Sequence, residues 1–181
     1  NFHKDKKTII FVGRLNLQKQ PLDFVKFVKI LEQVYPNEYQ YKMLGDGILR
    51  ETVRLQIFKE NLSSKISILG SVENIDEYYS EASYMIMTSD FEGQPGAIFE
   101  AIQAGVRVIT YPYDHWICEI FSKLHCSHTS LACTPESLLE TFIVQRNNSN
   151  DEKFDILNVE KEFNEQKLTT SWSRLFEQLK I

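Results

Sequence analysis

The sequence predicts an α/β domain of three layers, with helices on both faces of a parallel sheet of about five to six strands. Three observations carry that expectation. Short apolar runs alternate with longer amphipathic segments, the pattern of repeated strand-helix-strand units. The runs are largely apolar throughout rather than at every second residue, as strands buried on both faces require. Glycine closes three of the first four runs, where backbone can approach a ligand closely.

TIIFVG (Thr8 to Gly13) is the first run. From Pro21 to Val34 the apolar residues Leu22, Phe24, Phe27, Val28, Leu31 and Val34 recur at helical spacing. Pro21 suits the first helical turn, and Pro36 lies just past the end. YQYKMLG (Tyr39 to Gly45) reads as a second strand, Ile48 to Leu62 as a second helix and KISILG (Lys65 to Gly70) as a third strand. NIDEYYSEA is a short helix, YMIMTS a fourth strand, GAIFEAIQAG a helix and VRVITY a fifth strand. Beyond Tyr113 the pattern weakens to helices over Trp116 to Lys123 and Pro135 to Arg146. A polar stretch then leads to an amphipathic segment from about Val159 to Ile181.

A chain of 181 residues has room for one domain with a terminal appendage. The expected division is a binding domain over 1–150, then a linker and C-terminal helix over 151–181. With 43% hydrophobic and 12% aromatic residues the chain can build a substantial core. A net charge of −5 and a pI near 5.4 argue against nucleic acid or an anionic membrane surface as partner. No apolar run reaches membrane-spanning length, and the polar NFHKDKK opening is not a signal peptide, so a cytoplasmic location is expected. Three cysteines without a CxxC pair fit free, mostly buried thiols in a reducing compartment. The spacing of His115, Cys118, Cys126 and His128 matches no standard zinc knuckle, and no metal site is expected.

In a doubly wound sheet, ligands bind at the carboxyl ends of the strands, near the point where strand order reverses. After the first strand, Gly13 is followed by Arg14 and, before the helix, Lys19. Two cations beside a helix N-terminus suit a diphosphate, although both residues also fit an ordinary solvated loop. Gly45, Asp46 and Gly47 make a tight turn that is common loop chemistry on its own. Neither a GxGxxG fingerprint nor a Walker motif follows. In SDFEGQPGAIFEA, Glu92 lies in the loop after the fourth strand and Glu100 about two turns into the next helix. Gly93 and Gly96 free the intervening amides to face a ligand. The two acids are either solvated residues of a surface helix or acceptors for sugar and ribose hydroxyls, since a carboxylate suits a vicinal diol.

Taken together, FVGRL…K, LGDG, ILG and S.FEG.P…FEA..AG..VI resemble the C-terminal, donor-binding domain of the retaining GT-B glycosyltransferases of family 4, the glycosyl transferases group 1. The resemblance spans about Thr8 to Pro112, and Glu92 and Glu100 match the family's pair of glutamates separated by seven residues. It implies a Rossmann-like domain, one half of a GT-B fold. It also implies sugar transfer from a nucleotide diphosphate sugar, a UDP- or GDP-sugar, with retention and with no cofactor or metal required. By position, Arg14 and Lys19 would hold the diphosphate, Glu100 the ribose and Glu92 the donor sugar. Gly93, Gln94, Pro95, Gly96 and Ala97 would line the sugar and phosphate, while Gly13, Gly45, Asp46 and Gly47 would border the nucleotide. The acceptor, a glycan or lipid, would be held by a missing N-terminal domain toward which the last helix would pack. The isolated domain would then be inactive, and the full enzyme could sit at the inner face of the membrane.

Departures accompany the resemblance. Gln94 replaces an aromatic residue, Arg107 a proline, and YPYDHWICEI a glycine-containing loop whose glutamate Glu119 would replace. Two other readings stay open: a sugar-nucleotide epimerase of the same architecture, and a noncatalytic nucleotide-binding or interaction module.

Overall fold

The first strand, β1 (Thr8–Val12), shows why the sheet needs two covering layers. Ile9 and Phe11 enter one apolar cluster and Ile10 enters the other, because successive strand side chains point to opposite faces. The computed structural model describes residues 7–92, 96–123 and 127–147. After β1 come α1 (Pro21–Val34), β2 (Gln40–Leu44), α2 (Arg50–Lys59), β3 (Ile66–Gly70), α3 (Ile75–Glu81) and β4 (Ala82–Met87). They are followed by α4 (Gly96–Gln103), β5 (Arg107–Thr110), α5 (His115–Lys123), β6 (Ser127–Thr129) and α6 (Pro135–Asn147). The strands form one parallel sheet in the order β3-β2-β1-β4-β5-β6, the doubly wound, Rossmann-like arrangement.

One face is covered by α1, α2 and α6. Phe24, Phe27 and Leu31 of α1 are fully buried there with Val53, Ile57, Leu138 and Phe142. Each such side chain contributes about 1.5–3 kcal/mol relative to exposure. Phe142 meets Tyr84 with ring centroids 4.7 Å apart and Tyr39 edge-on at 5.6 Å, fixing α6 to the sheet. The other face carries Tyr79, Ile98, Ile102, Ile117 and Phe121 from α3, α4 and α5 against Met85, Met87 and Val108.

Several boundaries differ from the sequence expectation. The fourth strand starts at Ala82, before Tyr84, and all six of its residues are buried. A sixth strand, Ser127–Thr129, is too short and polar to announce itself as an apolar run. At the sheet edge, β3 leaves Ser67 exposed and Leu69 38% exposed, so it is not buried on both faces. The second helix is shorter than Ile48 to Leu62: Ile48 is exposed ahead of it, and Asn61 turns the chain after it with φ 58°. The thiols also differ from expectation. Cys133 is exposed and Cys118 half-buried, while Cys126 lies outside the described residues. The linker and the segment from Val159 to Ile181 also lie outside them.

Candidate functional site

Strand order reverses between β1 and β4. The chain leaves β1 for a helix on one face and leaves β4 for a helix on the other, so their loops diverge above the strand ends and open a crevice. Across the base of that crevice the two loops are bonded together. Thr88, the first residue after β4, points its hydroxyl at the carbonyls of Lys19 (2.7 Å) and Gln20 (2.9 Å). The Asp90 amide donates to the Gln18 carbonyl at 2.9 Å, and Gln18 Nε2 returns a bond to the Phe91 carbonyl at 2.9 Å. Gln20 Nε2 donates to Asp90 Oδ2 at 2.8 Å.

The charged members of the site meet on this scaffold. Lys19 Nζ lies 2.5 Å from Glu92 Oε1, and the two side chains are only 15% and 7% exposed. The lysine stem passes over Gly13, where a Cβ would come within 3.3–3.4 Å of it. Asn16 Oδ1 accepts the Lys19 amide at 3.1 Å and shapes the approach to α1. Arg14 is exposed on the loop after β1, with no hydrogen bond or ion pair among the described residues.

Gly45 and Gly47 do steric work. A Cβ on Gly45, whose φ is 129°, would lie 2.1 Å from the Gly13 carbonyl oxygen, and one on Gly47 would lie 2.4 Å from that of Leu15. The loops after β1 and β2 can touch only without those side chains, and backbone bonds Gly13 to Leu44 (2.9 Å) and Leu15 to Asp46 (3.0 Å) hold them together. Asp46 accepts the Gly47 amide at 2.8 Å and pairs with Arg50, so its carboxylate is engaged within its own turn.

Glu100 stands about one turn into α4 rather than two: the helix begins at Gly96, as expected, and four residues make little more than one turn. Its Oε2 accepts the Tyr79 hydroxyl at 3.1 Å. Its Oε1 lies over Gly96, 3.9 Å from where a Cβ there would sit. Burial, then the Glu100 charge, raises the Tyr79 phenol well above its usual range and keeps it a donor. Ala97 is half-buried beside them. Gly93, Gln94 and Pro95 lie outside the described residues. Glu119 is exposed on α5.

The sequence reading missed Tyr79, Thr88 and the pair of hydroxyls on Ser89 and Tyr113, which are buried without a hydrogen-bond partner among the described residues. Burial and the nearby Glu92 push the Tyr113 phenol upward. Thr88 carried a usable signal, a polar residue ending an apolar strand, whereas Tyr79 looks like any apolar residue of a short helix. Among the described residues, no three His, Cys, Asp or Glu side chains converge as metal ligands, and no helix is long and apolar enough to cross a membrane.

Comparison with known proteins accords with this geometry. The family described as glycosyl transferases group 1 matches residues 1–151. A curated relative from Campylobacter jejuni is 28% identical over 125 residues, covering 69% of this chain and 34% of the relative. It is named GalNAc-alpha-(1->4)-GalNAc-alpha-(1->3)-diNAcBac-PP-undecaprenol alpha-1,4-N-acetyl-D-galactosaminyltransferase. The chain spans about a third of the length of the first curated relatives it matches. Among solved structures, a variant of S. aureus TarM in complex with fondaparinux, alpha-GlcNAc-glycerol and UDP superposes with a TM-score of 0.81 at 15% identity, covering 97% of this chain and 36% of TarM. The C-terminal domain of a glycosyl transferase group 1 family protein (LpcC) from Francisella tularensis gives 0.72 at 15% identity, with 87% of each chain covered.

Proposed function

The chain belongs to the glycosyl transferases group 1 family, and from that premise we propose that residues 1–150 form the donor-binding lobe of a retaining glycosyltransferase. The observation that supports the reading is the ion pair of Lys19 with Glu92, made between the loops after β1 and β4 where those loops are bonded to each other.

In this reading a nucleotide diphosphate sugar lies across the crevice. Arg14 and Lys19 hold the diphosphate. An ammonium carries three donors, so Lys19 can keep Glu92 and still donate to a phosphate oxygen. Glu100 takes the ribose diol, Glu92 faces the donor sugar, and the amides from Gly93 to Ala97 line sugar and phosphate. Gly13 and the turn from Gly45 to Gly47 border the nucleotide. The bond between the anomeric carbon and the diphosphate oxygen breaks, and its electron pair leaves with the nucleotide. An acceptor hydroxyl oxygen then bonds the same face of the sugar, and its proton passes to the departing diphosphate oxygen. Arg14 and Lys19 stabilise the charge developing on the leaving group, an effect of several kcal/mol when donors are fixed in advance.

The acceptor glycan or lipid is held by the second lobe of the whole enzyme, so this chain alone binds donor without transferring its sugar. UDP, bound by the TarM variant, is the first candidate nucleotide. The test is a thermal-shift panel of UDP, GDP, ADP and CMP with their sugar conjugates. A ligand at 100 times its Kd adds about 2.7 kcal/mol of stability, a shift of a few degrees for a chain of this size. A selective shift for one diphosphate, lost in Glu100→Ala, supports the donor site. No shift from any of them, or one unchanged in both Arg14→Ala and Glu100→Ala, refutes it.

A further inference from the structure

Resting on that donor-site reading, we propose that Tyr79 is a positioning residue, which sets the Glu100 carboxylate for recognition of the ribose hydroxyls without touching the ligand itself. The Tyr79 ring is fully buried on the face covered by α3, α4 and α5, within the cluster that holds Ile98, Ala101 and Ile102 of α4. Packing on that cluster fixes the ring, so its hydroxyl has little freedom of direction. The hydroxyl meets two acceptors on α4, Glu100 Oε2 at 3.1 Å and the Ala97 carbonyl at 3.3 Å. A single proton serves both, and the charged acceptor makes the stronger bond.

The consequence lies in the freedom of Glu100. An exposed glutamate samples many rotamers, and fixing one costs side-chain entropy. Tyr79 meets that cost before a ligand arrives by holding Oε2 from the buried side. Oε1 lies over Gly96, 3.9 Å from where a Cβ there would sit. Oε2 keeps a second lone pair, so the carboxylate can still accept from both hydroxyls of a diol. A residue fixed in advance in this way raises affinity by removing an ordering cost rather than by adding a contact.

A purely structural role, joining α3 to α4 through the Ala97 carbonyl, is the competing account. A double-mutant cycle separates them. Tyr79→Phe keeps the buried ring and removes only the hydroxyl. The dissociation constants of UDP and GDP, each beside its 2′-deoxy form, are measured for the full chain, Tyr79→Phe, Glu100→Ala and the double variant. The expected result is that Tyr79→Phe weakens the preferred ribonucleotide by about five- to tenfold, on the scale of one coupled network bond. It also narrows the ratio of ribo to 2′-deoxy affinity and has no further effect once Glu100 is alanine. An equal loss in both backgrounds, an unchanged ribo to 2′-deoxy ratio, or no loss at all overturns the positioning role while leaving the donor site standing. Failure of the unaltered chain to bind either nucleotide overturns the donor site, and this role with it.

Discussion

Lys19 and Glu92, 73 residues apart in the chain, form a nearly buried ion pair where the loops after β1 and β4 meet. The pair joins the loops that leave the two halves of the sheet. Removing one partner leaves the other charge desolvated, which is far more costly than losing the attraction itself. Lys19→Met should therefore destabilise the domain by about 2–4 kcal/mol, and Lys19→Met with Glu92→Gln should recover a large part of that loss. Urea unfolding of the three proteins measures both quantities. A double variant as unstable as the single one would show that the charge pairing is not the cause.

Two glycines with positive φ should respond differently to alanine. At Gly45 the new Cβ would sit 2.1 Å from the Gly13 carbonyl, so the loops after β1 and β2 must separate. The expected cost exceeds about 3 kcal/mol. At Gly105, with φ 81°, nothing lies within 4 Å of the new Cβ, and only the left-handed backbone is unfavourable, at about 1–2 kcal/mol. Equal losses in thermal unfolding would contradict the steric account of Gly45.

Arg14→Ala should leave the melting temperature almost unchanged, since the side chain is exposed and holds nothing among the described residues. It should weaken nucleoside diphosphate binding by about tenfold, the equivalent of one charge-assisted contact. Binding of the bare nucleoside should be unaffected. Titration calorimetry with diphosphate and nucleoside reads the difference, and a parallel loss for both rules out a phosphate contact.

The buried tyrosines set an alkaline limit on stability. Burial comes first, then the carboxylates of Glu32, Glu100 and Asp23, in holding the phenols of Tyr41, Tyr79 and Tyr111 well above their usual range. In the unfolded chain they ionise near pH 10. The folded state thus keeps protons that the unfolded state releases, and stability is complete below about pH 10 and falls as the pH rises beyond it. Each tyrosine contributes a slope of up to about 1.4 kcal/mol per pH unit. Melting temperatures should be flat from pH 8 to 9.5 and decline steeply above about pH 10. A flat profile to pH 11.5 would remove these phenols from the account.

Local chemistry made much of the fold legible in the sequence. The range of α1 is as expected, from Pro21 to Val34, because a proline at its start, another past its end and a clear apolar stripe leave no competing choice. The ends of β1 and β4 were equally visible, and with them the edge of the sheet where Lys19 meets Glu92. Hidden were the features that depend on distant residues. β6 is a strand only because β5 offers it an edge, through pairs such as Ile109 with His128. No periodicity reveals that Thr88 bonds to Lys19 and Gln20, or that a buried tyrosine of α3 reaches a glutamate of α4.

The pairing of β1 with β4 also orders the folding of the chain in time. Strands β1, β2 and β3 can associate through short crossovers, but Thr8 pairs with Ala82, and closing a loop of that length is slow. During synthesis from the N-terminus, three strands of the sheet exist before β4 has been made. Until β4 arrives, β1 is an apolar edge open to any other chain that can add a strand. The step that forms the crevice therefore covers the β1 edge and hands the open edge to β4, whose six buried residues wait for β5 to pair with them.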